Sequence, residues 1–210
     1  HNLAELNITF LIKFGKTKEI FEKLNEHYSI QKIFCEEEFT QEEIDLEKSV
    51  ASALSNVKFE KSYSQFLLEP DFVFERLEKI PALFTTFRNK VEKNFSVRKP
   101  LKIEKRKAFF ELEIPSHKID FEKLGFENFE THHDSAFPFS GGENADWVRL
   151  HYYFEETQLL KDYKNTRNGL VGSDYSSKFS AWLANGSISA VSIYDEVKKF
   201  EQKFGANEST

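Results

Sequence analysis

The residues whose types and spacing could do chemistry are gathered between Tyr163 and Ser189, in the stretch YKNTRNGLVGSDYSSKFSAWLANGSIS. A Tyr and an Arg four residues apart (Tyr163, Arg167) lead into a loop with two glycines. Three hydroxyls, Ser176, Ser177 and Ser180, are then interleaved with Lys178 and Phe179 ahead of an apolar helical turn. Hydroxyls at a helix start satisfy backbone N–H groups that lack an intrahelical acceptor, and those groups, with the positive end of the helix dipole, favour an anion. Lys178 adds a full charge, and Gly169 and Gly172 let the loop backbone approach closely. The chemistry suggested is a hold on phosphate. A Ser-rich helix cap without any ligand has the same composition, so local physics leaves both readings open.

Two further groups invite a functional reading. Glu36, Glu37 and Glu38 follow an expected strand, at the end where parallel sheets place ligand contacts, although a run of glutamates is also what a solvated edge looks like. His132 and His133 raise the question of a metal. Cys35 is far away in sequence and no carboxylate stands at ligand spacing with the pair, so a loop and no metal site is expected. The chain contains no nucleophile elbow, no phosphate-cradling Walker loop and no HExxH.

The elements that must position these groups are readable from periodicity. Ile8, Phe10, Ile12 and Phe14 alternate, which predicts a strand closed by Gly15. A helix is expected from Thr17 as N-cap, with Ile20, Phe21, Leu24 and Tyr28 on one face. A strand over Ile30–Cys35 follows, then a helix opened by a capping box at Thr40–Glu43, then a strand over Val57–Tyr63. Strand, helix, strand, helix, strand is the rhythm of a parallel sheet with crossover helices, here without its first strands.

The periodicity fades from Glu69 to about Phe139, where all five prolines lie and a short helical piece is expected around Pro81 to Phe95. Between Arg88 and Lys107 there are nine Lys or Arg against two Glu, a local net charge of +7. Such a stretch is either a solvated linker or a phosphate-binding patch. After Glu143 the pattern is helical. One helix is expected to carry Trp147, Leu150, Phe154, Leu159 and Leu160 as far as the Gly169–Asp174 loop. A second spans Phe179–Asn185, closed by Gly186. A third starts after Ser189, with Gly205 as its C′ residue.

With 210 residues, 40% apolar and 15% aromatic, the chain can bury one or two cores. A net charge of −6 excludes a generally basic nucleic-acid coat without excluding a local patch. The single Cys35 cannot pair internally, which points to a reducing compartment, the cytoplasm. No apolar run is long enough for a membrane span. Because the sequence begins with His1 and has no Met, it is expected to be an internal fragment that leaves apolar surface open at both ends.

The order YKxTRNGxxGxDYSSKFSxWLAxG resembles the opening of the flavin-binding domain of photolyases and cryptochromes, most closely in the cryptochrome DASH branch. SAFPFSGGE (Ser135–Glu143) before an amphipathic helix is similar to the same branch. The resemblance implies an α/β plus all-α fold: residues 1–68 as part of a Rossmann-like parallel-sheet antenna domain, 69–139 as an interdomain connector, and 140–210 as the start of a helical FAD-binding domain. It implies FAD as cofactor, held by Tyr163, Ser176, Ser177, Lys178, Phe179 and Ser180, and a 5,10-methenyltetrahydrofolate antenna contacted by Glu38. Arg167 would meet a DNA backbone phosphate.

The implied parent is a monomeric, light-dependent lyase acting on cyclobutane pyrimidine dimers, preferably in single-stranded DNA. The alternative the resemblance leaves open is a blue-light receptor that binds the same flavin and signals through partners. Ala181 departs from the usual Pro and Ser187 from the usual Cys. Catalytic residues are expected only beyond Thr210.

Overall fold

A computed structural model describes residues 2–77, 79–93, 96–108, 110–127 and 129–210, and forms two compact units. The first joins His1–Ser64 to Leu101–Asn128, and the second joins Gln65–Pro100 to Phe129–Thr210. Residues 69–139, expected as one connector, are therefore shared between the units.

The first unit holds α1 (Asn2–Glu5), α2 (Thr17–Tyr28), β1 (Lys32–Glu36), α3 (Gln41–Ala53) and β2 (Lys58–Ser62). β1 and β2 pair in parallel, from Lys32 opposite Lys58 to Glu36 opposite Ser62, and α3 makes the crossover that parallel pairing requires. Val50, Leu54 and Val57 are buried beneath it, with Phe21, Ile30, Ile33 and Phe59 packed around them. Both expected caps differ in detail. Thr17 is the first residue of α2 behind Lys16, and Thr40 is the N-cap of α3 without a side-chain cap bond.

The alternating segment from Ile8 to Phe14 does not join the sheet. It runs beside the 106–117 stretch, where most of its bonds use side chains: Ile12 N–H donates to Ser116 Oγ (2.9 Å), Phe14 N–H to His117 Nδ1 (3.1 Å) and Lys13 Nζ to Pro115 O (2.6 Å). His117 N–H returns to the Ile12 carbonyl at 2.8 Å. A partner that offers hydroxyl and imidazole in place of regularly spaced peptides cannot build a ladder.

The second unit holds α4 (Pro70–Arg76), α5 (Phe84–Glu92), α6 (Glu143–His151), α7 (Tyr163–Thr166), α8 (Ser180–Ala184) and α9 (Ala190–Phe204). The helical piece expected to reach Phe95 ends as α5 at Glu92, and Phe95 itself lies outside the described residues. The single long helix expected through Leu160 is broken. After α6 the chain widens into a π-helical turn, Tyr152–Glu156, and then tightens into a 3₁₀ turn, Leu159–Asp162. Thr157 causes the widening, because its N–H (3.0 Å) and its hydroxyl (2.7 Å) both donate to the Tyr152 carbonyl, five residues back.

α9 follows its sequence signals. Ser189 caps it by accepting from Ser192 N–H at 3.0 Å, and Gly205 ends it at φ 87°. α8 closes with Gly186 N–H on Leu183 O (3.3 Å) and Ser187 N–H on Trp182 O (2.9 Å), the paired bonds of a Schellman end. The core these pieces enclose is aromatic: Tyr153, Phe154, Phe179, Trp182 and Phe200 with Leu150, Leu160 and Ile188. Among the described residues no helix is long and apolar enough to cross a membrane.

Candidate anion-binding site

The site is built around Arg149, in the last turn of α6, which is 3% exposed. Its guanidinium lies 4.8 Å from the ring centre of Phe139, 5.1 Å from Tyr153 and 5.3 Å from Tyr152, so apolar and π surfaces replace water around the charge. Its donors are spent on one loop. Nε donates to Ser177 O (3.2 Å), Nη1 to Asp174 Oδ1 (2.9 Å), and Nη2 to Ser173 O (2.9 Å) and Ser176 O (3.0 Å). Tyr152 OH holds the other carboxylate oxygen, Asp174 Oδ2, at 2.9 Å. That hydrogen bond, then burial, raises the Tyr152 hydroxyl above its ordinary pKa.

This grip fixes the direction of three peptides. In a trans peptide the C=O and the N–H point opposite ways, so carbonyls 173, 176 and 177 turned toward the guanidinium leave the N–H groups of Asp174, Ser177 and Lys178 turned away from it. None of the three donates to an acceptor among the described residues. Lys178 has φ 68°, and a left-handed residue after Ser177 opens successive N–H groups into an anion-receptive concavity. The hydroxyls of Ser176, Ser177 and Ser180 make no hydrogen bond among the described residues. Lys178 Nζ rests 3.5 Å from the centre of the Tyr175 ring.

The expected helix start is corrected by this geometry. α8 begins only at Ser180, is five residues long, and has Phe179 as N-cap without a side-chain cap bond. Ser176, Ser177 and Lys178 are loop, because Arg149 takes the carbonyls and Lys178 leaves the right-handed region. The donors on offer are loop amides, hydroxyls and an ammonium. Phe179 is buried in the core, edge-on to Phe154 at 6.0 Å, so only its backbone is free to face a ligand. Gly169 is the close approach anticipated, since a Cβ there would meet Tyr175 Cβ at 2.7 Å. Gly172 instead supplies a turn at φ 79° in open space.

Tyr163 opens α7, half-buried against the same aromatic core as Phe179. Arg167 caps that turn through its N–H to Tyr163 O at 2.9 Å. Its side chain is exposed, with no ion pair among the described residues.

The three glutamates after β1 separate. Glu36 accepts from Ser64 N–H at 2.8 Å and Glu37 pairs with Lys61 at 3.0 Å, while half-buried Glu38 makes no hydrogen bond or ion pair among the described residues. His132 and His133 have a carboxylate after all, since Asp134 lies 3.1 Å from His133 Nε2 and 3.8 Å from His132 Nδ1. All three are exposed.

Sequence reasoning missed Arg149, Tyr152 and Asp174. The one available signal was a cation beside Leu150 on the helix that carries the core. The +7 stretch is divided between the units: Arg88–Pro100 belongs to the second and 101–107 to the first. Arg98 pairs with Glu69 (3.3 Å) and Lys99 with Asp195 (2.9 Å), but Lys102, Lys105, Arg106 and Lys107 have no ion pair among the described residues.

Comparison with known proteins gives consistent matches. The pattern defining the DNA photolyase family matches residues 1–105. The chain is 36% identical over 211 residues to the cryptochrome DASH of Gloeobacter violaceus, covering all of this chain and 42% of that protein. A Synechocystis cryptochrome structure superposes with a TM-score of 0.88 at 33% identity, over 99% of this chain and 43% of that one. A class III photolyase from Agrobacterium tumefaciens shares the fold at a TM-score of 0.77 and 17% identity, over 99% of this chain and 42% of that one. The chain thus spans about two fifths of the length of these relatives.

Proposed function

The chain belongs to the DNA photolyase family, and we propose that it is part of a cryptochrome DASH type photolyase in which the 176–180 loop holds the diphosphate of FAD. The carrying observation is the set of donors that Arg149 turns outward: the Ser177 and Lys178 N–H groups, beside hydroxyls with no partner among the described residues and one ammonium. A diphosphate needs several donors and a positive field, and this donor set fits it. Tyr163 would cover the dinucleotide from α7. Glu38, with no partner among the described residues beyond the end of β1, would accept from the folate antenna. Arg167 would bind a phosphate of the DNA strand, where a planar fork donor is suited.

When bound, reduced FAD supplies light-driven electron donation to a cyclobutane pyrimidine dimer. The chain's own residues bind and orient the cofactor, the division of labour usual in cofactor enzymes. A dimer in single-stranded DNA would enter already unstacked, which lowers the cost of bringing it to the flavin. The test is the absorption spectrum of the full-length protein, followed by a light-dependent repair assay on dimer-containing oligonucleotides. A flavin spectrum with repair supports the proposal. A flavin spectrum without repair returns the function to blue-light signalling, and a colourless protein removes the cofactor reading.

A further inference from the structure

We infer that Arg149 is a positioning residue for diphosphate binding: it shapes the anion site from behind, by drawing carbonyls 173, 176 and 177 inward, without itself meeting the ligand. The inference rests on the reading of the 176–180 loop as the diphosphate site. Four N–H···O bonds from one guanidinium at 2.9–3.2 Å reach Ser173, Asp174, Ser176 and Ser177. The residue is 3% exposed, and four of its five N–H donors go to the loop.

The geometry demands Arg at this place. A guanidinium presents its donors in a fixed plane across a fork, and the four acceptors are met by three nitrogens of that plane. A lysine ammonium is a point charge with three donors and cannot span the same set. The rings of Phe139, Tyr152 and Tyr153 hold the plane, and Asp174 neutralises it, itself fixed by Tyr152 OH. Without that frame, carbonyls 176 and 177 are free to turn outward, and the ligand would meet oxygen lone pairs in place of N–H donors. Lys178 would also lose the constraint that keeps it at a positive φ, a conformation uncommon for a residue with a side chain.

The test uses the full-length apoprotein reconstituted with FAD and, separately, with riboflavin, which lacks phosphate. Arg149→Lys, Asp174→Asn and the Ser177→Ala/Ser180→Ala pair are compared with the parent, and thermal melting is followed for each. Arg149→Lys should lose about tenfold in FAD affinity while riboflavin affinity stays within about twofold, and Asp174→Asn should shift the same ratio in the same direction by a smaller factor. Equal loss of both flavins would make Arg149 a support of the fold only and overturn the inference. Unchanged FAD binding by Arg149→Lys alongside weakened binding by the serine pair would overturn it too, with the diphosphate reading intact. If the serine pair keeps full FAD affinity, that reading itself falls. Should Arg149→Lys not fold, Asp174→Asn decides: an unchanged FAD to riboflavin ratio refutes the role.

Discussion

Arg149 and Asp174, 25 positions apart, meet at 2.9 Å with the arginine side chain 2% exposed and the aspartate 44% exposed. The pair is the hinge between a helix that carries core residues and a loop that carries none of the regular hydrogen bonds of secondary structure. Because the aspartate keeps solvent on one side, the charge on Arg149 is neutralised without both ions being fully desolvated, the costliest arrangement for an ion pair.

The acid stability of this pair has a defined sign. Burial alone would raise the Asp174 carboxyl, but hydrogen bonds from Arg149 and Tyr152 outweigh it and hold the group below the usual carboxylate range. A depressed pKa gives stability that is complete above the unfolded carboxylate value and is lost as pH falls through the folded one. Asp174→Asn should therefore unfold with a shallower acid limb than the parent, measured by circular dichroism from pH 7 downward. Superimposable acid limbs would show that the pair adds nothing to acid stability.

Asp146 has the opposite sign. It is fully buried, neither carboxylate oxygen has a partner among the described residues, and burial, helped by the Glu143 charge, pushes its pKa up to about 6. The folded protein holds this proton where the unfolded chain releases it, so stability falls as pH rises from about 4 to about 6, by on the order of 3 kcal/mol. The stability of Asp146→Ala relative to the parent should rise by about that amount between pH 4 and pH 7.5. Parallel stability profiles in urea would mean that Asp146 finds a partner in solution.

Helix α9 offers a local check. Ser189 Oγ accepts from Ser192 N–H at 3.0 Å, and loss of such a cap typically costs about 1 kcal/mol. Ser189→Ala should lower the melting temperature by a few degrees with flavin binding unchanged. An unaltered melting temperature would show that core burial alone holds this terminus.

What the sequence made legible follows from the range of the interactions. α9 could be read because its cap, its apolar face and its Gly205 stop lie within one short stretch, and the β1–α3–β2 unit because its periods switch cleanly from two to 3.6. The π turn after α6 was not legible, since it depends on Thr157 choosing the Tyr152 carbonyl over a helical partner. The hydroxyl run could be picked out as a candidate through residue type alone. Its conformation was not legible, because Arg149 dictates it from a different element, and no local rule links position 149 to the carbonyls of 173, 176 and 177. Ile8–Phe14 had the alternation of a strand, but what pairs with it lies about a hundred residues on.

Lys102, Lys105, Arg106 and Lys107 lie in the first unit without ion pairs among the described residues, and we propose that they bind phosphate nonspecifically. Neutralising the four in the full-length protein should lower the slope of log affinity against log salt for single-stranded DNA, by roughly 0.7 for each phosphate that is no longer neutralised. An unchanged slope would return the segment to a solvated linker.

That Ser176 to Ser180 hold the FAD diphosphate is tested most directly by flavin retention in full-length Lys178→Glu. The substitution puts a negative charge beside the outward N–H groups while leaving the core residues Phe179 and Trp182 in place. This variant should fold, and melt as the flavin-free parent does, but lose its flavin on dialysis. Full flavin occupancy after dialysis would contradict the assignment of the loop to the diphosphate.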